Sequence, residues 1–202
     1  MVVACGLLAL AVHAAAGESA PSRVVSRLNA GLLDVLTQAQ KLGYEGRFQR
    51  LAPVVDESFD IGFMAEKSLG RHWKALGDED RARWVGVFRE FTTANYAGNF
   101  DKYSGQRFDV LGEEPAQNET MVVRTLLVNP AGENVELNYR LHQVGTTWKI
   151  VDVFLKGTVS ELALRRSDYA SVLERDGFEV LVSTVRGKIA DIAAGRGKRS
   201  DT

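Results

Sequence analysis

Apolar residues recur at helical spacing up to about position 100, switch to strand-like alternation from Gln106, and return to helical spacing after Gly157. Pro21 opens a segment in which Val24, Val25, Leu28, Leu32, Leu33, Val35 and Leu36 share one helical face. Gly43 and Gly46 are expected to interrupt it, with a short helical piece over 48–55 beyond them. Phe59, Ile61, Phe63, Met64 and Leu69 then mark a further apolar stretch. The strongest helix starts at Gly77-Asp78, places Glu79 and Asp80 in its first turn, and carries Trp84, Val87, Phe88, Phe91 and Tyr96 at core-facing spacing.

Four extended runs follow: RFDVLGEE, ETMVVRTLLVNP, ENVELNYRLHQV and TWKIVDVFLKG. The turns NPAGEN and QVGTT are short enough to imply an antiparallel meander. In the third run Leu137, Tyr139 and Leu141 alternate with Glu136, Asn138, Arg140 and His142, which predicts one wet face. The fourth does not alternate cleanly. Strict alternation puts Trp148, Ile150 and Phe154 on one face and Val151, Val153 and Leu155 on the other, a strand buried on both sides. After Gly157, Val159, Leu162, Ala163, Tyr169, Val172 and Leu173 return to helical spacing, and a last helix is expected from about Gly177 to Ala194. The pattern predicts an α+β fold with a twisted antiparallel four-stranded sheet packed against several helices.

The chain of 202 residues is 45% hydrophobic and carries Lys+Arg 25 against Asp+Glu 26, which suits one domain. A net charge of -1 supplies no electrostatic reason to expect a nucleic-acid partner. Residues 1–16 have no Asp, Glu, Lys or Arg, and Ala14 and Ala16 form a small-residue cleavage pattern, which predicts a secretory signal peptide and a mature start near Gly17. The apolar run is shorter than the roughly 20 residues a membrane span needs. Cys5, the single cysteine, falls in that segment, so the mature chain is expected to hold no disulfide, thiolate metal site or cysteine nucleophile. Residues 196–202 read as a disordered basic tail.

No zinc, nucleophile-elbow or phosphate-loop pattern occurs, and no cofactor is expected. Asp152, set between Val151 and Val153, is the polar residue that most needs an explanation. One reading is a general base in a cavity; the other is a structural ion pair with Arg71, Arg140 or Arg165. The apolar surplus supports a different chemistry, since an apolar cavity binds apolar ligand at about 0.8 kcal/mol per buried methylene. The candidate lining is Phe63, Met64, Phe88, Phe91, Tyr103, Val151, Val153, Leu162, Tyr169 and Phe178, between the sheet and the helices.

The stretches FDIGFMAEKSLGRHWKAL, FREFTTANYAGNFDKYSGQRFDV and LNYRLHQV through VSTV, in that order and spacing, resemble the MlaC or toluene-tolerance superfamily of periplasmic lipid-binding proteins over roughly residues 21–192. Within it they are most similar to the hopanoid-associated HpnM branch. The resemblance implies a cone-like fold with an apolar pocket over 17–195. It also implies a non-enzymatic periplasmic carrier that moves phospholipid, or a related lipid such as a hopanoid, between an inner-membrane MCE/ABC transporter complex and an outer-membrane lipoprotein. A small cone-fold enzyme using Asp152 as base and an adaptor with a dry core are the competing readings.

Overall fold

A computed structural model describes residues 19–196. The expected signal peptide, 1–16, and positions 197–202 of the basic tail lie outside the described residues. Helices come first: α1 (Ala20–Thr37), α2 (Ala39–Ser58), α3 (Ile61–Leu69), a 3₁₀ turn over Gly70–Ala75, and α4 (Asp78–Asn99). The strands β1 (Arg107–Ala116), β2 (Thr120–Val128), β3 (Val135–Val144), β4 (Thr147–Leu155) and β5 (Val159–Ser160) follow, and α5 (Glu161–Ala193) closes the described chain.

The local causes are legible in the side chains. Ser19 caps α1 by accepting from the Ser22 amide at 3.3 Å, and Pro21 occupies the first turn, where its missing N–H has no helical partner to lose. At Gly43, φ 60° and ψ -176° bend α2. Gly46 does not interrupt it, contrary to the sequence reading; the helix runs on through Pro53 to Ser58. Buried Arg47 fixes this bent helix by donating to the carbonyls of Ala97 at 2.8 Å and Ala39 at 3.1 Å. Asp60 caps α3 by accepting from the Phe63 amide at 3.0 Å.

The sheet is an antiparallel meander in the order β1-β2-β3-β4-β5. It has five strands, not four: after the turn at Gly157, Val159 and Ser160 pair back onto Leu155 and Phe154 before α5 begins. Two bulges shape it. In β1 the register passes from Val110↔Thr125 to Gly112↔Arg124, which leaves Leu111 without a partner. In β4 it passes from Arg140↔Asp152 to Leu141↔Ile150, so that Val151 is the extra residue.

The Val151 bulge corrects the expectation of a strand apolar on both faces. An unpaired residue shifts the side-chain parity, so Trp148 and Ile150 before it lie on the same face as Val153 and Leu155 after it. All four join the core, opposite Leu137, Tyr139 and Leu141. Phe154 lies on the other face, where the Arg140 guanidinium covers its ring at 5.0 Å. The core fills the space between this inner sheet face and the helices, with Leu28, Leu32, Leu51, Leu69, Trp84, Phe88 and Leu181 fully buried.

Candidate functional site

The interior between the sheet and helices α3, α4 and α5 is built around aromatic rings. Trp84 on α4 is fully buried, and its indole N–H donates to the Ala65 carbonyl and the Ser68 hydroxyl, each at 3.2 Å. Tyr169 from α5 meets it edge-on at 5.1 Å, and Phe178 flanks it at 6.3 Å. A second run of rings links Phe59, Tyr96, Phe100 and Phe108, ending under β1. Such pairs add about 0.5–1.5 kcal/mol each to the burial of their area.

A polar cluster is set into this apolar interior. Tyr139 reaches down from β3, Tyr96 comes from α4, and Glu161, Arg165 and Tyr169 come from the first turns of α5. Arg165 lies over the Phe91 ring at 4.5 Å and pairs with Glu161 at 3.7 Å, both side chains being 19% exposed. Burial pushes the phenol of Tyr139 far above its ordinary value, and burial followed by the neighbouring Tyr139 does the same to Tyr96. Burial also raises Tyr169, a rise that Arg165 opposes from close by. The Tyr139 hydroxyl faces that of Tyr96 and the Tyr169 hydroxyl faces Arg165, neither in close hydrogen-bonding geometry, while the Oε1 atom of Glu161 has no hydrogen-bond partner among the described residues.

Asp152 sits where β4 meets the start of α5. Its Oδ1 accepts from the amides of Val153 at 2.8 Å and Leu162 at 3.2 Å, and its Oδ2 accepts from the Ser160 hydroxyl at 2.6 Å. Ser160 in turn caps α5 by accepting from the Ala163 amide at 3.0 Å. The expected arginine partner is therefore corrected to a helix start. Arg71 bonds Glu174, Arg140 covers Phe154, and Arg165 covers Phe91. The other end of this helical segment is Gly177, whose φ of 83° and ψ of -179° break α5 in two. Between Glu161 and Asp176 only Tyr169 is buried. The segment that covers the polar cluster is thus tied at its start, broken at its end, and lightly anchored between.

The ten residues singled out from the sequence separate into groups. Met64, Phe88, Phe91 and Tyr169 are buried in the core, while Val153, Leu162 and Phe178 pack half-buried against it. Phe63 lies at the margin, against His142 at 4.8 Å and under the Lys67 ammonium at 5.0 Å. Val151 is buried in the bulge, away from the core cluster. Tyr103 is 46% exposed in the connection between α4 and β1, so its expected core-facing position is corrected. The sequence reading left out Tyr139, Glu161 and Arg165 as site residues, although the alternation of β3 had already put Tyr139 on the inner face.

The clefts on the surface of the described residues include two outside this interior. One of about 320 Å³ lies between the α2–α3 junction and the β3–β4 hairpin, lined by Asp56, Asp60, Arg89 and Lys149 among others. Beside it His142 Nε2 meets Asp60 Oδ2 at 2.9 Å. The other, about 440 Å³, runs along the outside of α1 at Arg23, Ser26, Arg27 and Ala30. None of the ten residues lines either cleft. Among the described residues no helix is long and apolar enough to cross a membrane, and no cluster of His, Cys, Asp or Glu is placed to hold a metal ion.

A family model described as MlaC protein matches residues 26–186. The chain belongs to the MlaC family. The MlaC match takes in every helix and strand from within α1 to within the second half of α5. Among curated relatives, the intermembrane phospholipid transport system binding protein MlaC of Haemophilus influenzae is 24% identical over 131 residues, 63% of this chain. The aligned part spans 61% of that protein's length. Among solved structures, a phospholipid-binding protein from Ralstonia solanacearum, in complex with a phospholipid, shares the fold with a TM-score of 0.75 and 21% identity. That likeness covers 87% of this chain and 99% of the other.

Proposed function

We propose that this member of the MlaC family is a periplasmic lipid carrier that holds the apolar part of a phospholipid or related lipid between the inner sheet face and α5. The observation that carries the reading is the aromatic interior roofed by the segment 161–176, which only Tyr169 anchors deeply and which Gly177 separates from the rest of α5. Displacing that segment is expected to uncover Met64, Phe88, Phe91 and Val153, with Leu162 on the segment itself and Phe178 just beyond Gly177, a lining to which acyl chains add about 0.8 kcal/mol per buried methylene. Phe63 stands at the rim of this space. Relatives that bind phospholipid in the same fold support the cargo class.

On this reading residues 1–16 direct export and are removed before Gly17, residues 17–195 form the carrier domain, and 196–202 trail as a basic tail. Lipid is exchanged with an inner-membrane MCE/ABC transporter complex and an outer-membrane lipoprotein, and a hopanoid is a further cargo of the same apolar character. The chemistry proposed is binding and release without turnover, in which Asp152 starts a helix and does not act as a base. The test is native mass spectrometry of protein recovered from the periplasm, with extraction of what it carries. A lipid bound one-to-one is expected, on a chain starting near Gly17. Protein that retains Met1 and carries no lipid, and takes none from vesicles of phosphatidylethanolamine and phosphatidylglycerol, would overturn the reading.

A further inference from the structure

The segment 161–176 is gripped from outside by the corner at which α3 ends. Gly70 closes α3 with φ 54°, and a Cβ added there would stand 2.7 Å from Arg166 Nε, so the Arg166 guanidinium lies against the Gly70 backbone. A cation at that place meets the negative end of the α3 dipole. Two turns further along α5, and on the same side of the helix, Glu174 accepts from Arg71 at 2.5 Å. His72 Nε2 stands 3.3 Å from the same oxygen. Arg71 and His72 both belong to the 3₁₀ turn that follows Gly70. These side chains lie outside the lining proposed for the cargo: those of Arg71 and Glu174 are 77% and 51% exposed, and Arg166 is exposed as well.

We propose, on the carrier reading above, that this corner is an ionic clasp on the segment 161–176, one that sets how fast cargo enters and leaves and not how tightly it is held. The start of the segment is fixed by the hydrogen bonds to Asp152, and Gly177 supplies the backbone freedom at its end. The corner holds the stretch between them, in which Tyr169 alone is buried. Lifting that stretch off the interior separates Arg166 from Gly70 and Glu174 from Arg71, so both contacts belong to the closed position. They favour closure equally with and without cargo, because they touch no part of the interior. Contacts of that kind slow entry and exit by one common factor, which cancels from the affinity.

The test loads full-length mature protein with phosphatidylglycerol bearing a pyrene-labelled acyl chain and mixes it with neutral phosphatidylcholine vesicles that contain a quencher. The decay of fluorescence gives the release rate, and its end point gives the partition between protein and vesicle. Glu174→Gln, which loosens the Arg71 and His72 contacts together, is expected to speed release about threefold, the scale of exposed ion pairs, with the partition unchanged. Arg166→Gln adds a comparable factor in the double variant. Arg71→Glu also speeds release, and joining it to Glu174→Arg brings the rate back toward wild type, because the pair is rebuilt with its ends exchanged. Arg50→Gln breaks an exposed pair with Asp34, between α2 and α1, and leaves the rate as it was. Raising salt from about 0.05 M to about 0.5 M speeds wild-type release and leaves the Arg166→Gln/Glu174→Gln variant unmoved. Wild-type rates in Glu174→Gln and in the double variant overturn the clasp and leave the carrier reading standing, as does a partition that shifts in step with the rate. Wild-type protein that takes up no labelled lipid overturns both.

Discussion

Replacing Asp152 by alanine is expected to release the start of α5 from the sheet. Its carboxylate is almost fully buried and accepts three hydrogen bonds, from the Val153 amide, the Leu162 amide and the Ser160 hydroxyl. A bond to a charged acceptor is worth about 1.5–3 kcal/mol, but three donors sharing one carboxylate do not add. The negative charge also lies at the first turn of a helix, a further contribution of about 0.3–1 kcal/mol. Together these give a loss of about 3 kcal/mol for Asp152→Ala, which strands the Leu162 amide and frees Ser160 to rotate out of its capping position. Asp152→Asn keeps an oxygen for the two amides and is expected to lose about 1 kcal/mol. Urea unfolding followed by circular dichroism gives the global loss. Hydrogen exchange shows whether the amides of 162–172 lose protection first, as detachment of this segment requires. An Asp152→Ala variant with unchanged urea midpoint and unchanged exchange would refute the helix-start argument. A loss of the same size from Arg140→Gln alone would restore the ion pair in its place.

Three further outcomes follow from the geometry. Gly177→Ala meets no atom within 4 Å of its new Cβ, so the expected loss of about 1–3 kcal/mol in thermal unfolding is conformational and reports the φ of 83°; an unchanged melting temperature would mean that α5 is not broken there. In Gly98→Ala the new Cβ would stand 2.5 Å from Ile192 Cγ2, an overpacking expected to cost about 1–3 kcal/mol and to be relieved by Ile192→Ala in a double-mutant cycle. Burial raises the folded-state values of Tyr96, Tyr139 and Tyr169 above the ordinary 10.0, so the stabilisation they supply is complete below pH 10 and is lost as pH climbs from there toward their folded values. Urea midpoints measured at pH 8 to 11 are expected to fall steeply, and Tyr139→Phe is expected to flatten that fall; an equal slope in the variant would contradict its burial.

Period and turn chemistry go far toward this fold. The apolar face of α1, the acidic first turn of α4, the order of the strands and the break at Gly177 are local signals, each set by residues a few positions apart. What escaped is non-local or uncounted by period. A single unpaired residue, Val151, inverted the apparent faces of β4, because alternation assumes that every residue has a partner. The role of Asp152 escaped because charge suggested an arginine, whereas the nearest donors were a serine and two amides supplied by the chain turning back on itself. Tyr103 combines apolar character with spacing that suggests the core, yet it lies in a connection where no periodicity applies. The Tyr139, Tyr169 and Glu161 cluster draws on β3 and α5, and no spacing rule relates them.

The bulge at Leu111 bears on how copies of this molecule meet one another. β1 hydrogen-bonds β2 on one side only, and its outer edge carries the backbone groups on which a second chain can build a strand. Val110 at 40% exposure and Leu111 at 52% give that edge an apolar, β-prone surface of the kind that recruits aggregates. The unpaired Leu111, followed by Gly112 at φ 144°, breaks the regular ladder in the middle of the strand, so an incoming chain can match the amides above the break or those below it but not both. Among the described residues, the outer edge of β1 thus stays out of register with any straight neighbour, and a single extra leucine works against edge-to-edge association of copies.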